Sequence, residues 1–234
     1  MKLPPLHRGT LLRRYKRFLA DVRLEDGREV VAHCPNPGRM TSCQEPGWTV
    51  WLSHHDSPKR KLKWSWELSE TPAGVLILVN TARPNTVAKE GALRVPQLAG
   101  FGLVRSEVRM GEGSRVDLHL SEGPGPDAWV EVKSVTLLHA ARRASFPDAV
   151  SARASKHLDE LRARVDEGER GVLLFLLSRE DAEVVSPADA VDPVYGRKLR
   201  AAAAAGVEVL AHKVLLSREE LRLGPAVPVD LTGP

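Results

Sequence analysis

Two stretches of the sequence carry residues that can act on a phosphate. SRVDLHL (114–120) holds Asp117, and AWVEVKSVTL (128–137) holds Glu131 and Lys133 two positions apart. Both have the alternation and β-branched content of strands, on which successive side chains point to opposite faces. Glu131 and Lys133 therefore share one face, with Val130 and Val132 on the other. Asp117 likewise shares its face with Arg115 and His119, against Val116, Leu118 and Leu120. If the two strands pair, Asp117 and Glu131 converge at one end of the polar face. Carboxylates that close repel unless a cation joins them, and an oxygen-only set with room for water suits Mg2+ or Mn2+. Lys133 on that face stabilises charge building on a phosphorus. The simpler alternative is a solvent-facing strand with a weak Glu–Lys surface pair.

The elements around these strands favour the chemical reading. PNTVAKEGALRVPQLAG (84–100) has helical spacing, weakened by Gly91 and Pro96, and carries Glu90. VRSEVRM (104–110) reads as a strand joined to SRVDLHL by the turn Gly111-Glu112-Gly113. A long helix is expected over 147–168, opened by Pro147, with Val150, Ala154, Leu158, Leu161 and Val165 as its apolar stripe. GVLLFLLS (171–178) reads as a strand buried on both faces. Asp192 and Pro193 cap a second helix that runs through the alanines 201–205 to Gly206, and GVEVLAHKVLL (206–216) returns as a strand. This order describes a mixed sheet flanked by helices over residues 81–223, with 224–234 as a loose tail. It is the layout of the PD-(D/E)xK nuclease fold.

The first eighty residues have another texture. In YKRFLADVRL, Phe18, Ala20, Val22 and Leu24 fall on one face, and Glu25-Asp26-Gly27 turns the chain into REVVAHC. WTVWLSHH, KWSWELSET and GVLILVN follow. Five short strands in residues 1–80 suggest a small closed OB-like barrel. The whole chain is thus expected to be a two-domain α+β or α/β protein.

Charge is uneven along the 234 residues. Of 34 Lys and Arg, 13 lie in residues 1–80 and 21 beyond; of 30 Asp and Glu, the division is 8 and 22. The basic excess sits in the barrel, which favours a polyanionic partner, nucleic acid before membrane. No apolar run reaches spanning length and no leader pattern precedes the barrel, so a cytoplasmic protein is expected. Cys34 and Cys43 read as reduced thiols in or near a core.

Along nearly its whole length the chain resembles the sugar fermentation stimulation protein A family. The resemblance rests on RRYKRFLADV (13–22), HCPNPGRM (33–40), PKRKLKWSWEL (58–68), GEGSRVD (111–117), VEVKSVTL (130–137), FPDAVSARASKHL (146–158) and VDPVYGRKLRAAAAAGVEVLA (191–211). It implies an OB-like domain before a nuclease-like one, and DNA as partner, single- or double-stranded. Carried over by position, it makes Glu90, Asp117, Glu131 and Lys133 a catalytic quartet, with Asp117 and Glu131 holding the metal. Arg153, Lys156 and His157 would reach phosphate from the following helix. In the barrel, Arg13, Arg14, Lys16, Arg17, Lys59, Arg60, Lys61 and Lys63 would track phosphates beside Trp48, Trp51, Trp64 and Trp66, at least two of which should be core. Pro37 stands where a threonine is expected. The expected function is DNA binding with Mg2+-dependent cleavage. A non-catalytic DNA-binding regulator, or a protein-interaction module with an inert acidic site, are the alternatives, and a homodimer is left open.

Overall fold

The computed structural model describes residues 1–111, 113–139 and 142–232, so Glu112 of the expected turn lies outside the described residues. The barrel is built from β1 (Leu6–Tyr15), β2 (Leu19–Leu24), β3 (Glu29–His33), β4 (Thr49–His54) and β5 (Trp64–Glu70), with β6 (Leu76–Leu78) added at one side. The strand order is β3-β2-β1-β4-β5-β6, and β3 pairs parallel with β5 to close the ring. Alternation aims Ala20, Val22 and Leu24 inward beside Leu11, Val50, Leu52 and Trp66. Phe18, placed on the same face by the sequence, precedes β2 and is 45% exposed. Cys34 and Cys43 are buried free thiols in this core.

The second domain begins with α1 (Arg83–Gly91), which ends in short 3-10 turns where Gly91 and Pro96 interrupt it. Next come β7 (Leu103–Gly111), β8 (Ser114–Ser121), β9 (Ala128–Val135), β10 (Leu137–Leu138) and β11 (Arg143–Phe146). α2 (Ala152–Asp166), β12 (Arg170–Leu177), β13 (Val184–Pro187), α3 (Pro193–Ala204), β14 (Glu208–Leu216) and β15 (Leu221–Ala226) complete it. The main sheet has the order β15-β14-β12-β9-β8-β7, with β9, β12 and β14 parallel. α1 packs over one face through Val87 and Ala88, and α2 and α3 over the other through Leu158, Leu161 and Leu199. β12 lies between these layers and is apolar on both sides, as its composition requires. No helix among the described residues is long and apolar enough to cross a membrane.

Three expectations are corrected. α2 starts at Ala152, where the Ser151 hydroxyl accepts from Ala154 N, so Pro147 lies outside it and Val150 is 74% exposed. The start of the tail is ordered by pairing. Residues Leu221–Ala226 form an edge strand, Val227 N donates to Ala211 O, Asp230 N donates to Val185 O, and Arg143 pairs with Asp230 at 2.6 Å. Of the four tryptophans only Trp66 is fully buried; the other three are half-buried, Trp51 beneath the Arg218 guanidinium and Trp64 against His7 and His54.

The domains are joined through polar groups that neither could bury alone. Glu67 of β5 is fully buried, yet it accepts from Ser53, Asn80 and the Arg83 guanidinium of α1 at 2.7–2.9 Å. Burial pushes its carboxyl up, but Arg83 and these hydrogen bonds together hold it below the usual range. Arg179, 2% exposed, donates to Thr136 O and to Ser42 Oγ of the barrel while pairing with Asp181.

Removing one partner of a buried pair strands the other charge. Arg83→Ala should therefore lower stability by about 3 kcal/mol in denaturant melts, and Glu67→Gln combined with Arg83→Met should recover part of it. Because the Glu67 value is depressed, the pair's contribution should persist above the ordinary carboxylate value and fade as pH falls through the lower, folded one. An Arg83→Ala loss below about 1 kcal/mol would sink this assignment.

Candidate active site

The polar end of β9 opens into a cleft of about 450 Å3 at the junction of the domains. Its position follows from where two strands separate. β8 and β9 pair at Leu120–Ala128, His119–Trp129 and Leu118–Val130. One residue further, Asp117 leaves the ladder, and its carboxylate takes the place of the lost backbone acceptor. Asp117 Oδ2 accepts from Val132 N at 2.7 Å and Oδ1 from Asn85 Nδ2 at 2.6 Å. On the other edge, β7 pairs at Ser106–Leu118 and Val108–Val116, while Glu107 between them takes φ +56°. The register is the same on both sides of Glu107, yet β8 does not keep a single apolar face. Leu118 and Leu120 enter the core under α1, whereas Val116 joins the core under α2, so the single apolar face expected for the three is corrected. His119 is also drawn away, buried against Trp129 and bonded to Asp127.

Glu131 points under α2 and is 2% exposed. Its Oε1 accepts from Lys133 Nζ at 2.5 Å and bonds to His157 Nδ1, which lies 3.2 Å from the same ammonium. Its Oε2 is buried without a hydrogen-bond partner among the described residues. Burial pushes Glu131 up, but His157 and Lys133 more than offset it, and the carboxyl lies below the ordinary value. Asp117 goes the other way. Burial, then the charge of Glu131, raise it from 3.8 to about 6 against the opposing Val132 N–H. His157 and Lys133 thus favour the Glu131 carboxylate, while burial and Glu131 disfavour the charged form of Asp117.

Other expected residues lie elsewhere. Glu90 is on the far part of α1, paired with the Met1 ammonium at 2.8 Å, and takes no part in the cleft; α1 contributes Asn85 instead. His157 is 3% exposed and bonded to Glu131, so it supports the carboxylate rather than reaching outward. Arg153 stands exposed on the rim with Nε 3.4 Å from His157 Nε2, and Lys156 is exposed beside Glu160 at 3.4 Å. In the barrel, Arg14 is occupied by the carbonyls of Asn36 and Gly38 at 2.9 Å, and Arg13 by Asp21 at 2.7 Å. Arg60 bonds to Ser65 and Lys63 to Ser57 O, while Lys59, Lys61, Lys16 and Arg17 are exposed.

Sequence reasoning assigned no site role to the HCPNPGRM loop of the barrel. Asn36, Pro37 and Gly38 wall the cleft opposite β9, and Asp148 Oδ2 of the FPDAV stretch accepts from Met40 N at 2.8 Å. Gly38 is required there, since a Cβ would meet Asp148 Oδ2 at 2.3 Å. The HCPNPGRM and FPDAV motifs are thus two halves of one interdomain clasp.

Two family models match the chain: the SfsA N-terminal OB domain over residues 12–79 and the Sugar fermentation stimulation protein RE domain over residues 82–220. A sugar fermentation stimulation protein homolog of Geobacter sulfurreducens is 53% identical over 232 residues, covering 98% of each chain. A homolog from Pseudomonas paraeruginosa is 50% identical over 232 residues, covering 97% of this chain and 98% of its own. Among solved structures, that of Pyrococcus furiosus SfsA in complex with Ca2+ superposes with a TM-score of 0.86 at 26% identity, covering 98% of both chains.

The raised Asp117 carboxyl makes a stability prediction for the protein in EDTA. Ionising a group whose folded value near 6 exceeds the ordinary 3.8 costs stability above about pH 6 and nothing below about pH 4. Asp117→Asn keeps an acceptor for Val132 N and should melt above the parent at about pH 8. The gain should shrink through that window and vanish near its lower end. Equal melting temperatures at the higher pH would refute the strained carboxylate.

Proposed function

This chain belongs to the sugar fermentation stimulation protein family, an OB domain followed by a nuclease-like domain, and on that premise we propose that it binds DNA and hydrolyses a phosphodiester with Mg2+ or Mn2+. The observation that carries this reading is Glu131, whose buried Oε2 has no hydrogen-bond partner among the described residues, lining one cleft with the destabilised Asp117 carboxyl. These residues fit a hard divalent cation, for which Asp117 and Glu131 are the ligands. That the Pyrococcus furiosus relative is in complex with Ca2+, itself a hard divalent cation, accords with this reading. A divalent cation there supplies Lewis-acid stabilisation of the charge that develops on a phosphoryl group.

The chain's own residues do the rest. His157 and Lys133 hold Glu131 ionised and in place through Oε1. Asn85 and Val132 N fix Asp117 so that both carboxylates face one space. Lys133 adds a positive charge beside the phosphorus, worth more in the transition state than in the bound substrate. Arg153 on the rim is placed to meet the phosphate next in line. The clasp between Gly38, Met40 and Asp148 narrows the opening and limits the water around the reacting group. Two free, buried thiols accord with a reducing, cytoplasmic setting.

The decisive assay incubates the purified protein with single-stranded, duplex and branched DNA in Mg2+, Mn2+ or EDTA. Cleavage should require metal, and Lys133→Ala should lower its rate at least about a hundredfold while DNA binding is largely kept. Activity that survives Lys133→Ala, or binding without cleavage of any substrate, would overturn the enzymatic reading.

A further inference from the structure

A second groove adjoins the cleft. It has a volume of about 620 Å3 between the β7–β8 hairpin and α2, with Arg109 and Arg115 on the strands and Arg153 and Lys156 on the helix. Glu107 is the carboxylate on its wall, so four cations face one acid. Arg153 and His157 line both the groove and the cleft, so the two adjoin along α2.

The pairing within the hairpin is the telling feature. Arg109 and Arg115 are direct cross-strand partners and both are exposed. Like charges opposite one another on a sheet are destabilising, and a fold gains nothing from placing them so. Neither arginine has an ion-pair partner among the described residues. Glu160 of α2 bonds through Oε1 to the Ser114 hydroxyl and to Lys156, while its buried Oε2 has no hydrogen-bond partner among the described residues. An anion with several oxygens relieves the repulsion, and guanidinium forks match phosphate oxygens in pairs.

We propose that this groove holds the sugar-phosphate backbone of a DNA strand as it leads into the cleft. Arg109 and Arg115 grip the phosphates over the hairpin, and Lys156 and Arg153 carry the strand to the rim. The groove's link to chemistry rests on the phosphodiesterase reading above. Its binding of the backbone is separable from that reading and can be measured alone.

The probe is a fluorescein-labelled single-stranded oligonucleotide, followed by anisotropy in EDTA over a range of salt. Arg115→Glu should weaken binding tenfold or more and reduce the logarithmic salt slope by about 0.7 for each phosphate it no longer neutralises. The same change turns a like-charged rung into an oppositely charged one, so the variant should melt no earlier than the parent and misfolding cannot explain the weaker binding. Arg109→Glu should behave alike. Lys59→Glu with Lys61→Glu on the barrel should have the smaller effect. Unchanged affinity and slope in both arginine variants, with binding abolished in the barrel variant, would overturn the proposal. Titration with Mn2+ by calorimetry separates the two readings. A parent that takes no Mn2+ but releases the oligonucleotide in Arg115→Glu would remove the metal-dependent chemistry and leave the groove standing.

Discussion

Beyond Leu118 and Val130 strands β8 and β9 part company, and the cleft lies where they separate. A continuous ladder would fill the space with backbone hydrogen bonds. Ending it leaves the Val132 N–H in need of an acceptor in a dry interior, where an unmet donor is costly. The Asp117 carboxylate meets that need, so the residue that terminates the pairing also faces the cleft. The solution brings two carboxyls together, and the cost falls unequally. Glu131 has His157 and Lys133 to stabilise its charge; Asp117 has two hydrogen-bond donors and its neighbour's negative field. Structural need and electrostatic tension therefore have one source.

The barrel is part of the site's wall rather than an appended module. Arg14 of β1 holds the carbonyls of Asn36 and Gly38, which shapes the loop that faces β9. Asp148 then fastens that loop to the second domain through Met40 N. Behind it, Glu67 with Arg83 and Arg179 with Ser42 place charge in the interface. Buried pairs of this kind contribute little net stability against an apolar equivalent, but they tolerate few alternative alignments. A cleft built from loops of two domains needs that restriction, since a shift of an ångström at the reacting centre lowers a rate steeply.

Period and punctuation explain what was legible in the sequence. Strands β2 to β6 of the barrel, the buried β12 and the Asp192-capped α3 follow from alternation, apolar runs and cap chemistry, all of which act over a few residues. β1, Leu6–Tyr15, is not among the strands read from the sequence. Asp117, Glu131 and Lys133 stand out because a charged face on a valine-rich strand conflicts with local expectation. Glu90 misled because helical periodicity locates a residue on an element without saying which end of it meets the sheet. Asn85, five residues earlier, is the residue that arrives. The clasp was beyond reach for a similar reason. Gly38 and Asp148 are 110 positions apart, and only the folded arrangement brings a glycine's missing Cβ against a carboxylate. The tail looked loose because prolines and glycines dominate it, yet an edge strand accepts a proline whose missing N–H faces outward.

Net charge read along the sequence leaves a second electropositive surface out of view for a related reason. Summed over the sequence, the basic excess belongs to residues 1–80. In the folded chain, several of those cations are engaged: Arg13 by Asp21, Arg14 by carbonyls, Arg23 by Glu29 and Arg28 by Asp26. The second domain carries slightly more acid than base, but its acids are largely consumed in pairs such as Arg170–Glu208 and Arg200–Asp189. What a polyanion meets is the charge left over locally from that pairing, and within a Debye length of about 8 Å only nearby uncompensated charge is felt. Between β7, β8 and α2 that remainder is positive and borders the cleft. Part of the potential that would guide a phosphate to Asp117 and Glu131 thus arises in the domain whose total charge argues against it.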